Sequence, residues 1–186
     1  MRKNFTDIGF FPQPVLVIGT YDANGIPNAM NVGWGGMSGG RYVTIHISRN
    51  HKTTDNIFLT QAFTMSFADR AHLEEADYFG LVSGAVENKI EKVGFHAVQS
   101  KFVDAPVFTE LPLTLECRVA ESGEAFGSIR IVGEVLNMSA DEAILGPDGL
   151  VDADKLQALS FDRVRRVYRT LGGVVGKAYA DGEKFL

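Results

Sequence analysis

The chain of 186 residues contains one cysteine, Cys117, so it can form no disulfide within itself and no Cys-x-x-Cys redox or zinc site. A chain without a disulfide framework suits a reducing compartment, and a cytoplasmic location is the expectation. No apolar run approaches the roughly 18 residues a membrane helix needs. The opening stretch, MRKNFTDIGFFPQP, has neither a long apolar core nor a small-residue cleavage site and does not read as a signal peptide. Positive charge is not in excess either: 18 Lys and Arg face 23 Asp and Glu, a formal net charge of −5. That balance argues against nucleic acid or an anionic membrane as the main partner. Repeats, low-complexity tracts and long linkers are also missing, which predicts one domain over residues 1–186. No His, Cys, Asp and Glu spacing suggests a metal site.

What is present is mainly strand patterning. Residues 14–21, PVLVIGTY, are almost continuously apolar, as in a strand buried on both faces. Asn24-Gly25 then predicts a hairpin turn, because both residues tolerate positive φ. The chain returns over 27–34, with Met30, Val32 and Trp34 on one face and Ala29, Asn31 and Gly33 on the other. Residues 41–48 alternate Val43, Ile45 and Ile47 against Tyr42, Thr44 and His46. A short helix is predicted over 53–61 with Thr53 as N-cap, and a second over 69–84 capped by Asp69. Between them, 62–68 reads as a strand with Phe63, Met65 and Phe67 inward. Residues 113–120, with Cys117 in the core, and 127–138 add two strands, and 146–149 a turn. RVRRVYR (163–169) reads as a solvated helical face or a subunit contact. Hairpin-joined strands with few helices predict a mainly β fold, a small antiparallel barrel with helical additions.

The most unusual stretch is NVGWGGMSGG, residues 31–40, which packs five glycines around the only tryptophan. It contains Gly36-Met37-Ser38-Gly39-Gly40, the G-x-S-x-G pattern of a hydrolase nucleophile elbow. An elbow needs a helix after the serine, and here a strand follows. The four histidines also show no obvious triad partner. A phosphate loop fails for the same reason, and because Arg41-Tyr42 stand where Lys and Ser/Thr are required. Two readings remain. Glycines in a strand can leave the backbone open to a flat ligand with Trp34 as a wall, or Trp34 is core and the glycines let a tight barrel coil. The next loop, SRNHKTTDN (48–56), gathers Ser48, Arg49, His51, Lys52, Thr53 and Thr54 at a helix start. Such a set suits a phosphate, or equally a solvated loop that caps its helix.

Taken in order, PVLVIGTYDANGIPNAMNVGWGG, VTIHISRNHKTTDNI, DYFGLVSGAVENKIEKVGF, IVGEV and YRTLGGVVGKA resemble the flavin reductase-like, FMN-binding split-barrel family, especially its flavoredoxin-like branch. The resemblance implies a split β-barrel and a homodimer with FMN near the subunit interface. It implies that Asn31, Val32, Gly33 and Trp34 border the isoalloxazine ring, and that Ser48, Arg49, Lys52, Thr53 and Thr54 hold the ribityl phosphate. Ser83 and Gly84 match the family's Ser-Gly after the helix. Lys89 matches a lysine that can reach the phosphate, although Asn88 stands before it where the family commonly has Asp. Tyr168, Gly172 and Gly176 match a C-terminal pattern read as structural.

Related reductases often carry Gly-Asp-His before the strand ending in GEV, with the histidine near the nicotinamide. Here Ser128 holds that place. The family activity implied is transfer of electrons from NADH or NADPH through FMN to a downstream acceptor, with no catalytic side chain required. Two alternatives stay open. One is an electron carrier reduced by a redox partner protein. The other is a flavin- or haem-binding module without turnover, with His46 or His96 as a haem ligand.

Overall fold

The computed structural model describes residues 1–6 and 8–186. In chain order the strands begin with β1 (Gln13–Pro14), β2 (Leu16–Tyr21), β3 (Pro27–Val32), β4 (Gly35–Gly39) and β5 (Tyr42–Ile47). Helix α1 (Lys52–Thr60) leads into β6 (Ala62–Phe67), followed by α2 (Leu73–Leu81) and α3 (Lys89–Val93). Then come β7 (Ala97–Gln99), β8 (Pro106–Phe108) and the long hairpin β9 (Leu113–Ala125) and β10 (Ser128–Ala140). The short α4 (Ala153–Leu156) precedes a last hairpin, β11 (Leu159–Asp162) and β12 (Val167–Thr170).

Seven strands make one antiparallel sheet in the order β3-β2-β6-β9-β10-β5-β4. Its two edge strands, β3 and β4, are joined by only Gly33 and Trp34. A connector of that length spans roughly 10 Å at most, so the sheet must curl until its edges nearly meet. The result is a barrel with a seam, and Gly33 and Trp34 lie in the seam. Register shifts between Val132 and Gly133 and between Val135 and Asn137 help bend the β9–β10 hairpin. At Gly133 an added Cβ would sit 2.5 Å from Phe63 Cζ, so the missing side chain is what admits that ring.

The barrel interior is filled by Leu16, Ile18, Ile45, Phe63, Met65, Ile131 and their neighbours, with Ile57 of α1 plugging one end. Outside β2 and β3 a second cluster sets Val15, Val17 and Ala29 against Phe79 of α2, Ile90 of α3 and Phe108 of β8. β2 is therefore buried on both faces, which is why 14–21 is apolar without alternation. β6 is also covered on both sides, rather than inward on Phe63, Met65 and Phe67 alone. Its buried Thr64 donates to Pro106 O at 2.6 Å, and Ser66 pairs with Thr114 at 2.8 Å, so neither hydroxyl is left unpaired.

The glycine stretch forms edge strand β4 and turns at Gly39 and Gly40, both at positive φ. Local expectations differ from the structure at three places. His51, without a side-chain bond, is the N-cap of α1; Thr53 is already in the first turn and buried. α2 begins four residues after Asp69, because that carboxylate accepts from His72 N (2.9 Å) and Nδ1 (2.8 Å) instead of capping a helix at 70. Residues 163–169 are not helical. Asp162 accepts from Arg165 N at 3.0 Å and fixes a tight turn, after which Val167–Thr170 pair with β11 and Tyr168 packs on Phe161. No helix of the described residues is long and apolar enough to cross a membrane.

Candidate functional site

At the seam, a cavity of about 980 Å³ opens between the β3–β4 connector, the end of β5, the start of α1, the end of α2 and the tip of the β9–β10 hairpin. That size is at the upper end for small-molecule sites.

One end is walled by backbone and flat apolar groups. Asn31 Nδ2 donates to Ala76 O at 2.9 Å, tying β3 to α2. The Gly33 carbonyl accepts from Gln13 Nε2 at 3.0 Å, and a Cβ at Gly33 would meet that same nitrogen at 2.8 Å. The other amide atom, Gln13 Oε1, is buried without a partner among the described residues. Trp34 O accepts from His46 N at 2.8 Å, while the indole is 55% exposed and carries the Arg163 guanidinium 5.4 Å from its ring centre. Of the two readings of Trp34, cavity wall is the one the structure supports. It lies past the end of β3, where the face shared by Met30 and Val32 has already turned away from the core. His46, Ser128 and an exposed Phe126 also line the cavity.

The other end is polar and cationic. Lys52 Nζ donates to Gly84 O at 3.2 Å and pairs with Asp22 at 2.9 Å. That lysine holds the Asp22 carboxyl below the usual range. Lys89 is buried, donates to Phe79 O at 2.9 Å, and has its pKa pushed down to about 8 by burial and then by Lys52. Thr53 Oγ accepts from the buried Asn28 amide at 2.9 Å. Ser48, His51 and Ser83 complete the lining, and the first turn of α1 opens here with no side chain capping it. Two ammonium groups, one carboxylate and an uncapped helix start make this end fit an anion. A long ligand, flat at one end and anionic at the other, matches the donor set.

Ten of the twelve residues assigned to the site line this cavity, in three groups: Asn31 to Trp34 at the flat end, Ser48, Lys52 and Thr53 at the α1 turn, and Ser83, Gly84 and Lys89 opposite. Arg49 and Thr54 are not on the lining. Arg49 turns away to Asp55, at 2.6 Å, and over Phe58; Thr54 is fully buried and donates to Ser48 O at 2.6 Å. Helical geometry turns Thr54 away from Thr53, since neighbours in a first turn point about 100° apart, while Arg49 lies in the loop before the helix and is drawn off by Asp55. His51, Phe126 and the α2 end around Gly80 line the cavity without having been assigned to it. His51 sits inside the cationic loop and was legible there. The α2 end is reached only through tertiary packing.

The model of the flavin reductase like domain family matches residues 8–160. Flavoredoxin of Desulfovibrio vulgaris (Miyazaki F) superposes with a TM-score of 0.94 at 31% identity, over 98% of this chain and 100% of that one. Flavoredoxin from Methanosarcina acetivorans does so with a TM-score of 0.90 at 26% identity, over 100% and 99%. A curated protein of Archaeoglobus fulgidus is 41% identical over 64 residues, which is 34% of this chain and 36% of that relative's length. The mainly β, antiparallel split barrel expected from the sequence is the observed fold.

Proposed function

The chain belongs to the flavin reductase-like family, and from that premise we propose that its seam cavity binds FMN and that the protein passes electrons from NADH or NADPH through it to a downstream acceptor. The observation that carries this reading is the pairing of the two ends: flat walls at Trp34 and Phe126, and the cations Lys52 and Lys89 at the other. Bound flavin supplies reversible one- and two-electron chemistry; the protein supplies binding and electrostatics. Lys52, Lys89 and the hydroxyls of Ser48, Thr53 and Ser83 would hold the phosphate. The backbone of Asn31 to Trp34 would orient the ring, and Phe126 would limit water at its edge. Lys52 and Lys89 also leave positive potential in the cavity, which favours a more negative reduced flavin.

A flavoredoxin-like carrier, reduced by a partner protein instead of a nicotinamide, is the second reading. The 31% identity with a flavoredoxin over 98% of the chain favours it, as does Ser128 at the place where related reductases have histidine. In either case we propose a homodimer. Val174, Val175 and Tyr179 stand fully exposed on the C-terminal tail, and a second copy would cover such apolar side chains.

The test is an equilibrium fluorescence titration with FMN and, in parallel, riboflavin. Tight FMN binding with clearly weaker riboflavin binding is expected; binding of neither sinks the assignment. Stopped-flow mixing of the loaded protein with NADH and NADPH then separates the two readings.

A further inference from the structure

A second cavity, of about 900 Å³, lies on the other side of the β3–β4 connector and shares Asn31, Gly33, Trp34, Gly80 and Leu81 with the first. Trp34 and Leu81 are 55% and 74% exposed and line both cavities, so they stand as a shared rim. The turn between β11 and β12 places Arg163 and Arg166 on the lining of this second cavity. The four arginines of that hairpin are not equivalent. Arg165 and Arg169 face the Asp162 carboxylate, at 4.0 and 3.5 Å. Arg163 and Arg166 have no carboxylate within that distance among the described residues, and the Arg163 guanidinium stands over the Trp34 ring, 5.4 Å from its centre. The one carboxylate on the lining among the described residues, Asp77, accepts from the Tyr168 hydroxyl at 2.6 Å. Arg166 also adopts a φ of 54°, a left-handed conformation that favours glycine or asparagine. The turn therefore carries an arginine where its backbone would more easily take a smaller residue.

We propose that this second cavity binds the diphosphate of a nucleotide co-substrate, with Arg163 and Arg166 as its anion-binding pair. The far end of the ligand crosses the Trp34–Leu81 rim into the first cavity. Guanidinium forks suit phosphate oxygens, and two of them on one turn can span a diphosphate. A concave site of this volume fits a small molecule better than the flat face of a protein, and a lone oxyanion would leave most of it empty. What the nucleotide exchanges electrons with rests on the flavin reading of the first cavity; its binding by the arginines does not.

The test is calorimetric titration of the flavin-free full-length chain with ADP-ribose, which has the diphosphate but no redox ring. Saturable binding is expected, weakened at least tenfold in Arg163→Gln/Arg166→Gln and changed less than twofold in Arg165→Gln. Three results would overturn the proposal: no saturable binding by the wild type, wild-type affinity in the double variant, or an equal loss in Arg165→Gln, which would mean bulk charge alone. An FMN titration of Arg166→Gln runs alongside, with affinity expected within twofold of wild type. A chain that binds ADP-ribose through these arginines but no FMN would end the flavin reading and leave this site standing. The reverse result would remove only this site.

Discussion

The Ser128 hydroxyl lies 3.3 Å from Nδ1 of His46 and donates to the carbonyl oxygen of Ala125 at 2.8 Å. A hydroxyl has one proton, and with that proton on the carbonyl, Ser128 can only accept from the imidazole. A neutral His46 is then expected to carry its hydrogen on Nδ1, leaving Nε2 unprotonated. Nitrogen-15 spectra of the imidazole should show the Nδ1–H tautomer in the wild type. Ser128→Ala should release it towards the Nε2–H form. An Nε2–H tautomer in the wild type would refute this account of the pair.

Lys89 makes anion binding pH-dependent. Its pKa is about 8 in the free protein, pushed down from 10.5 by burial and then by Lys52. A phosphate beside it favours the charged form, so the pKa rises on binding and a proton is taken up. FMN affinity should be level just below pH 8 and fall as pH rises beyond it, by at most tenfold per pH unit. Riboflavin, with no phosphate, should show no such decline. The same group gives the opposite slope for stability. Between pH 8 and 10.5 the unfolded chain holds the Lys89 proton that the folded chain has lost, so this group's contribution to stability rises with pH in that window. A pH-independent FMN affinity would place the phosphate away from Lys89.

The cations of the 48–56 loop should divide sharply. Lys52→Ala removes a charge on the cavity lining and should weaken FMN binding by about 1–3 kcal/mol, the range of a charge-assisted hydrogen bond. Arg49→Ala removes an exposed side chain paired with Asp55 off the lining, and should change binding by no more than about 0.5 kcal/mol. Equal losses in the two variants would mean that long-range charge, and not contact, holds the anion.

That division marks the limit of what the sequence makes legible. The burial of β2 on both faces can be read from its unbroken apolar run, and the Asn24-Gly25 turn from its dipeptide, with Gly25 at a φ of 74°. Composition brings Ser48 to Thr54 into view as one loop that suits an anion. Which side chains face the cavity depends on where the first helical turn begins, and His51 as N-cap moves that start by two residues. The RVRRVYR stretch reads as a solvated helical face or a subunit contact, because its charges suit an exposed surface of either kind. The Asp162 turn and the pairing with β11 rule out the helix; the turn is local chemistry, but the strand pairing is not visible within the stretch itself. The exposure of Trp34 follows from the curl of the sheet, which no local pattern encodes.

Gly84 joins the fold and the anion end at one atom. A Cβ there would sit 1.8 Å from Asn28 Oδ1 and 2.9 Å from its Cγ. Asn28 is buried, and its amide donates to Thr53 Oγ at 2.9 Å, so the clash cannot be relieved by a swing into solvent. Gly84→Ala must displace Asn28, which adds an overpacking cost of about 1–3 kcal/mol to about 1–3 kcal/mol for the unpaired buried groups. A loss of about 2–6 kcal/mol is expected, read as a lower urea midpoint with an unchanged slope. Gly36→Ala supplies the contrast, since a Cβ there meets nothing within 4 Å, and its midpoint should shift by no more than about 0.5 kcal/mol. Below the unfolding transition Gly84→Ala should also bind FMN more weakly, because Lys52 Nζ is held by the Gly84 carbonyl at 3.2 Å and moves with it. Destabilisation with wild-type FMN affinity would separate the two roles and show that Lys52 finds the anion without the Gly84 carbonyl.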